Sequence, residues 1–218
     1  MTVALIDYGS GNLRSAAKAL ERAASVTSRS DQVIVTADPA EVLNADRIVL
    51  PGVGAFADCI AGLRALDGMI EAMDEAVHRR GRPFLGICVG MQLLADVGRE
   101  YGDHSGLGWI GGEVVALEPG SGLSGERLTV PHMGWNTITI DRQGHPVLSG
   151  FADETHFYFV HSYHLRTTRP EDCMATTEYA GRIAAVIGRD TIIGCQFHPE
   201  KSQAMGLRLI TNFLEWTP

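Results

Sequence analysis

The sequence predicts an α/β fold: a central mixed, mostly parallel sheet flanked by helices, with antiparallel strands in the C-terminal half. Two patterns carry this. The N-terminal half alternates short apolar runs with stretches whose apolar side chains recur at helical spacing, and such alternation builds a parallel sheet covered by helices. The C-terminal half shows successive strand-like runs separated by turn residues, the pattern of hairpins.

The elements follow in order. Residues 3–7 form an apolar run ended by the turn Tyr8-Gly9-Ser10-Gly11, after which Leu13, Ala16, Ala17 and Leu20 recur at helical spacing. Residues 32–36 are a β-branched strand candidate. Asp38-Pro39-Ala40-Glu41 reads as a helix start, with Asp as N-cap, Pro at the first helical position and Glu following. Residues 47–50 are apolar and end at Pro51-Gly52-Val53-Gly54. Met69, Ile70, Met73 and Val77 mark another helical stripe. Residues 84–87 are a short strand, followed by Cys88 and a helix predicted from 89 to 95. Later strands are predicted over 108–117, 128–130, 135–140, 156–162, 173–178, 182–188 and 191–197, with a hairpin around Gly188-Arg189-Asp190. A last helix is predicted over 202–216, with Leu207, Ile210, Phe213 and Leu214 on one face. No repeat, low-complexity stretch or linker interrupts this, so residues 1–218 read as a single domain.

Composition excludes several function classes. The net charge of −8 opposes broad electrostatic binding to nucleic acid or an anionic membrane. No apolar run reaches the roughly 18–20 residues needed to cross a bilayer. The opening residues lack a basic leader and meet Asp7 after a few apolar positions, so a first buried strand is expected and not a signal peptide. Cys59, Cys88, Cys173 and Cys195 form no CxxC pair, which suits a reducing, cytoplasmic setting. No HExxH, EF-hand loop or paired Cys/His cluster is present, so no metal and no cofactor is implied. Gly9-Ser10-Gly11 after the first strand invites a dinucleotide-binding reading, but Arg14 stands where the third glycine belongs.

Gly86-Ile87-Cys88-Val89-Gly90 is the most informative short stretch. Gly-x-nucleophile-x-Gly at a strand-to-helix junction holds a reactive side chain on a tight, strained turn. The glycines remove Cβ atoms that would clash there. A nucleophile at a helix N-terminus meets free N–H groups, which stabilise a thiolate and a tetrahedral oxyanion. The glycine frame alone leaves Cys88 open between a small core residue and a nucleophile. A second motif decides it. A cysteine nucleophile needs a base oriented by a third group, and Gln196-Phe197-His198-Pro199-Glu200-Lys201-Ser202 supplies one between a strand and the last helix. Pro199 stiffens the loop, so Glu200 is expected to accept from Nδ1 of His198 and leave Nε2 facing the thiol. No other histidine has a carboxylate two residues on with a proline between.

Together, Gly86-Ile87-Cys88-Val89-Gly90-Met91-Gln92 and Gln196-Phe197-His198-Pro199-Glu200 resemble the paired signature of class I glutamine amidotransferases, in the family order. Pro51-Gly52-Val53-Gly54-Ala55-Phe56 is a third match. Asp7-Tyr8-Gly9-Ser10-Gly11-Asn12-Leu13, Pro131-His132-Met133-Gly134-Trp135-Asn136 and Tyr158-Phe159-Val160-His161-Ser162-Tyr163 resemble the branch that serves imidazole glycerol phosphate formation in histidine biosynthesis. The resemblance covers essentially the whole chain and implies the flavodoxin-like fold of that family. It implies that Cys88 attacks the side-chain amide of L-glutamine, that His198 relays the proton and that Glu200 orients it. It places the oxyanion hole at Gly52, Val53 and Val89, and the glutamine-binding groups at Gly54, Gln92, His161, Ser162 and Tyr163. It puts Asn12, Trp135, Tyr158 and Lys201 at the interface with a separate cyclase subunit, a (βα)₈ barrel that receives the ammonia in a heterodimer.

Two other functions compete: a glutaminase for another synthase, of the anthranilate or aminodeoxychorismate type, and a catalytically silent regulatory partner. The Pro131–Asn136 motif argues against the first and the intact triad against the second. The stretches 104–106 and 120–125 carry no usable motif; the second is expected at an exposed hairpin tip.

Overall fold

The computed structural model describes residues 1–27, 31–120 and 127–218. The N-terminal half runs β1 (Thr2–Ile6), α1 (Leu13–Ala24), β2 (Gln32–Thr36), α2 (Pro39–Asn44), β3 (Arg47–Gly52), α3 (Phe56–Ala65), α4 (Met69–Asp74), β4 (Phe84–Cys88) and α5 (Val89–Gln92). The C-terminal half runs β5 (Val97–Gly98), β6 (His104–Ser105), β7 (Gly112–Ala116), β8 (His132–Ile140), β9 (Thr155–His161), β10 (Tyr163–Thr167), β11 (Cys173–Glu178), β12 (Arg182–Arg189), β13 (Ile192–Cys195) and α6 (Gln203–Glu215).

Among the described residues the main sheet has nine strands in the order β2-β1-β3-β4-β13-β12-β11-β8-β9. The pairs from β2 to β13 are parallel, and those from β13 to β9 antiparallel. A smaller sheet has the order β10-β7-β5-β6. The mixed sheet expected from the sequence is therefore present, including the antiparallel later part. β3 and β4 are buried at every position, as parallel strands covered on both faces must be. α1 packs on α6, while α2 and α3 pack on α4; these two helix groups flank the sheet. The expected cap of α2 forms, with the Ala40 N–H donating to Asp38 Oδ1 at 2.8 Å.

Several expectations change. The helix after Cys88 ends at Gln92 and not at 95. The carbonyls of Leu93, Leu94 and Ala95 turn instead to N–H groups of Leu107, Trp109, Ile110 and Gly108, so the loop takes the acceptors that further helix would have used. Gly106 permits this approach, since a Cβ there would lie 2.1 Å from Ala95 O. Stretch 104–106, without a motif in sequence, thus begins as β6 and closes onto the end of α5. The strand expected over 108–117 is confined to Gly112–Ala116, and residues 128–130 precede the cis Val130–Pro131 peptide without forming a strand. α3 and β10 were not expected, although Phe56, Cys59, Ile60 and Leu63 mark the buried face of α3. Residues 121–125 of the expected hairpin tip lie outside the described residues. No helix among those residues is long and apolar enough to cross a membrane.

Candidate active site

β3 and β4 end side by side, with Gly52 and Cys88 as register partners. Ligands of open α/β sheets gather beyond such carboxyl ends. Cys88 adopts φ 54° and ψ −112°, a conformation that costs a side-chain-bearing residue on the order of 1–3 kcal/mol and persists only where the surroundings impose it. Glycines do the imposing. A Cβ on Gly90 would sit 1.9 Å from Leu50 O, one on Gly86 2.7 Å from Gly90 O, and one on Gly52 2.6 Å from Gly90 N. β3, β4 and the first turn of α5 close to backbone contact, and Cys88 is left at the apex. Val89 is the first helical residue, so its N–H has no intrahelical acceptor.

His198 follows β13 and is pinned to β9. Its N–H donates to Tyr158 O at 2.9 Å, and the Ser202 hydroxyl donates to His198 O at 2.7 Å while accepting from Tyr158 N–H at 2.9 Å. His198 Nδ1 lies 2.8 Å from Glu200 Oε1, and both side chains are almost fully buried. His198 and the Cys88 thiol line the same cavity, and Cys88 and Glu200 both act on the imidazole. Burial pushes the His198 pKa down, but the bonds to Cys88 and Glu200 outweigh it and raise it to about 9. The sequence-predicted triad Cys88, His198 and Glu200 is thus one cluster.

A cavity of about 400 Å³ opens on the thiol. Val53, Gly54, Val89, Gln92, His161, Ser162, Tyr163 and Lys201 line it beside Cys88 and His198, so the expected glutamine-binding residues converge. Two of them have side-chain nitrogens already engaged. Gln92 Nε2 donates to Tyr163 O at 2.8 Å and to Gln196 Oε1 at 3.0 Å. His161 uses Nδ1 on Tyr163 O at 3.0 Å and Nε2 on His132 Nδ1 at 3.0 Å. The Val53 N–H points to Ser10 Oγ at 3.4 Å, and the Ser10 hydroxyl donates to Val53 O at 2.5 Å. In this arrangement Val89 offers the free N–H next to the thiol and Val53 does not.

Sequence reasoning gave no individual role to three residues here. Glu100 is the carboxylate of the cavity wall; its Oε2 accepts from Phe56 N–H at 2.6 Å, and its backbone carbonyl is held by His104 Nε2 at 3.1 Å. Gln196 and His132 are buried next to the site. Glu100 carries no spacing signal; Gln196 stands two residues before His198 and His132 within the Pro131–Asn136 stretch, and both lie behind the cavity lining. Of the expected interface residues, Tyr158 connects two others: Trp135 meets its ring edge-on at 6.1 Å, and Lys201 Nζ lies 5.7 Å from its centroid. Trp135 is 47% exposed and its neighbour Met133 66%. Asn12 is exposed at the N-cap of α1 and makes no side-chain capping bond. Among the described residues no group of His, Cys, Asp and Glu is arranged to hold a metal.

The fold, the strained thiol turn and the buried His–Glu pair define a glutamine amidotransferase of class I. The chain belongs to the glutamine amidotransferase class-I family, whose pattern matches residues 4–216. It is an enzyme, a glutaminase of that family. It is 59% identical to the imidazole glycerol phosphate synthase subunit HisH of Rhodospirillum rubrum and 55% identical to that of Ruegeria pomeroyi, each over the whole of both chains. Among solved structures it resembles a putative GMP synthase component from Thermoplasma acidophilum, with a TM-score of 0.66 at 18% identity over 98% of this chain and 92% of that one. A glutamine amidotransferase from Thermotoga maritima aligns with a TM-score of 0.61 at 19% identity over 92% of this chain and 76% of that one. At such identities these likenesses bear on the fold alone.

Proposed function

We propose that this chain is the glutaminase subunit of an imidazole glycerol phosphate synthase and that Cys88, His198 and Glu200 perform its hydrolysis. The observation that carries this is His198 held between a thiol and a buried carboxylate at the wall of a cavity of about 400 Å³. The whole-length likeness to HisH subunits assigns the synthase.

In this reading glutamine enters with its side-chain amide at Cys88, and Glu100 faces its α-ammonium. His198 takes the thiol proton and the sulfur attacks the amide carbon. The oxyanion is held by the Val89 N–H, and by the Val53 N–H once that peptide leaves Ser10. The imidazolium gives its proton to the amide nitrogen, the C–N bond breaks, and ammonia departs from the thioester. Water then attacks the thioester carbon, its proton passing to His198. The C–S bond breaks, glutamate leaves, and the imidazolium returns its proton to the sulfur, restoring the thiol. Glu200 keeps Nδ1 protonated and so presents Nε2 to the sulfur, the orienting role of the third group in such triads.

Ammonia passes to a cyclase subunit, read as a (βα)₈ barrel in a heterodimer; the lyase chemistry is that partner's. In this reading Trp135 and Lys201, joined through the Tyr158 ring, face it, as does Asn12 at the N-cap of α1. Residues 1–218 act as one domain in the cytoplasm, where the four free thiols stay reduced. The test is glutamine hydrolysis by the chain alone, with the cyclase partner, and with that partner plus its nucleotide acceptor. Hydrolysis that rises with the partner and again with the acceptor supports the reading; equal turnover in all three mixtures opposes the assignment to this synthase.

A further inference from the structure

The sulfur of Cys88 has two polar neighbours that the triad does not use, the acceptor Val160 O at 4.0 Å and one donor. Gln196 Nε2 lies 3.7 Å from the sulfur, and Gln196 is fully buried. An amide can face a sulfur with its oxygen or with its nitrogen. Here the choice is fixed from a distance by a backbone carbonyl, which only accepts.

Tyr163 O receives Gln92 Nε2 at 2.8 Å, so the Gln92 amide must present its NH₂ on that side. The same nitrogen lies 3.0 Å from Gln196 Oε1, which must therefore be the acceptor. The NH₂ of Gln196 is left to face Cys88. Tyr163 O also receives Nδ1 of His161 at 3.0 Å, which fixes that tautomer. His161 Nε2 then accepts from His132 Nδ1 at 3.0 Å, and His132 Nε2 accepts from Asn136 Nδ2 at 3.2 Å. Asn136 Nδ2 also donates to Glu178 O at 3.0 Å. Each member of this chain has one consistent role, and none can reverse without setting donor against donor or acceptor against acceptor.

We infer that Gln196 is a further catalytic residue, which donates its amide N–H to the Cys88 sulfur and so holds the thiolate. The inference rests on Cys88 being the nucleophile. The donor acts twice in the cycle. It favours the thiolate when His198 removes the proton, and it receives the electron pair returned to sulfur when the C–S bond of the thioester breaks. A thiolate left with the imidazolium alone would have one hydrogen bond where this site provides two.

The experiment follows alkylation of Cys88 by iodoacetamide as a function of pH in the full chain, comparing Gln196→Met and Gln196→Glu with the parent and using Cys88→Ser as blank. Gln196→Met keeps the length and removes the donor; Gln196→Glu keeps the shape and places an acceptor against the sulfur. Hydrogen bonds to charged groups shift equilibria by roughly ten- to a hundredfold. The expected result is alkylation at neutral pH slowed by about tenfold or more in Gln196→Met, with its profile displaced to higher pH, and a larger displacement in Gln196→Glu. Glutamine hydrolysis should fall in kcat with KM held. Packing alone would lower hydrolysis without moving the alkylation profile, so profiles superimposable on the parent overturn the proposal. If Gln196→Met does not fold, Gln196→Glu decides by the same criterion. Failure of the underlying reading looks different: Cys88→Ser would still hydrolyse glutamine.

Discussion

His132 Nδ1 stands 3.0 Å from His161 Nε2 across the β8–β9 pair, where the two residues are register partners. The bond requires one nitrogen with a proton and one without, so the pair is stable only while His161 is neutral. Burial pushes the pKa of His132 down to about 4 and, with the nearby His132 charge adding to it, that of His161 to about 3. His132 is further held between the rings of Phe159 and Tyr179, at 4.7 and 3.9 Å.

The pair predicts an acid limb of stability. Unfolded histidines titrate near 6.5, so between that pH and about 4 the unfolded chain binds more protons than the folded one, and stability falls as pH falls. His164, which burial lowers to about 4, adds to the same limb. Urea unfolding midpoints should decline from pH 6.5 downward. A flat midpoint to pH 4 would mean that the buried pair accepts protons without cost.

His198 predicts the opposite limb. Its folded pKa is raised to about 9 against an ordinary 6.5. The folded chain binds the extra proton between these values, so its contribution is complete below pH 6.5 and lost as pH rises through about 9. Glu200→Gln removes the carboxylate that faces Nδ1 and should flatten this limb in the same urea titration. An unchanged slope would detach Glu200 from the imidazole.

Gly90→Ala should break the thiol turn. The new Cβ would fall 1.9 Å from Leu50 O, a backbone atom in a buried strand. Overpacking of this kind costs about 1–3 kcal/mol, and the thiol should lose its approach to His198. The expected variant unfolds at lower urea and hydrolyses no glutamine. A fully active variant would show that the close approach of β3 to α5 is dispensable.

Much of this was legible in the sequence, because its strongest signals are local. Gly86 and Gly90 announced a turn that only small residues permit, and the run from His198 to Glu200 carried base and orienter on one stiff loop. The Asp38 cap and the buried runs of β3 and β4 were likewise readable from adjacent residues. What escaped depends on distant backbone. Whether α5 ends at Gln92 is settled by the loop near Gly106, which takes the carbonyls that helix would have used. Glu100 belongs to no quoted motif, and Gln196 and His132, though inside quoted stretches, take their roles from partners on other elements. The family resemblance assigned an oxyanion loop to Pro51–Gly54, yet the direction of the Val53 N–H is set by Ser10, far away in sequence.

The triad roles separate by severity. General acid–base groups contribute roughly 10²–10⁴-fold, so His198→Ala should lose that much glutamine turnover, and Glu200→Ala less, since an orienting group does not itself carry the proton. Steady-state kinetics in the presence of the cyclase partner measure both. Equal losses would give Glu200 a part in proton transfer. In the same assay Cys88→Ser should abolish glutamine-dependent synthesis and leave ammonia-dependent synthesis by the partner intact; loss of both would mean that the thiol also supports the partner's chemistry.

The most direct measurement is mass spectrometry of the enzyme quenched in acid during turnover of glutamine. A glutamyl thioester on the peptide that contains Cys88, absent from Cys88→Ser, is the expected result. A modified Cys59, Cys173 or Cys195 in its place, or undiminished hydrolysis by Cys88→Ser, would contradict the assignment of the nucleophile.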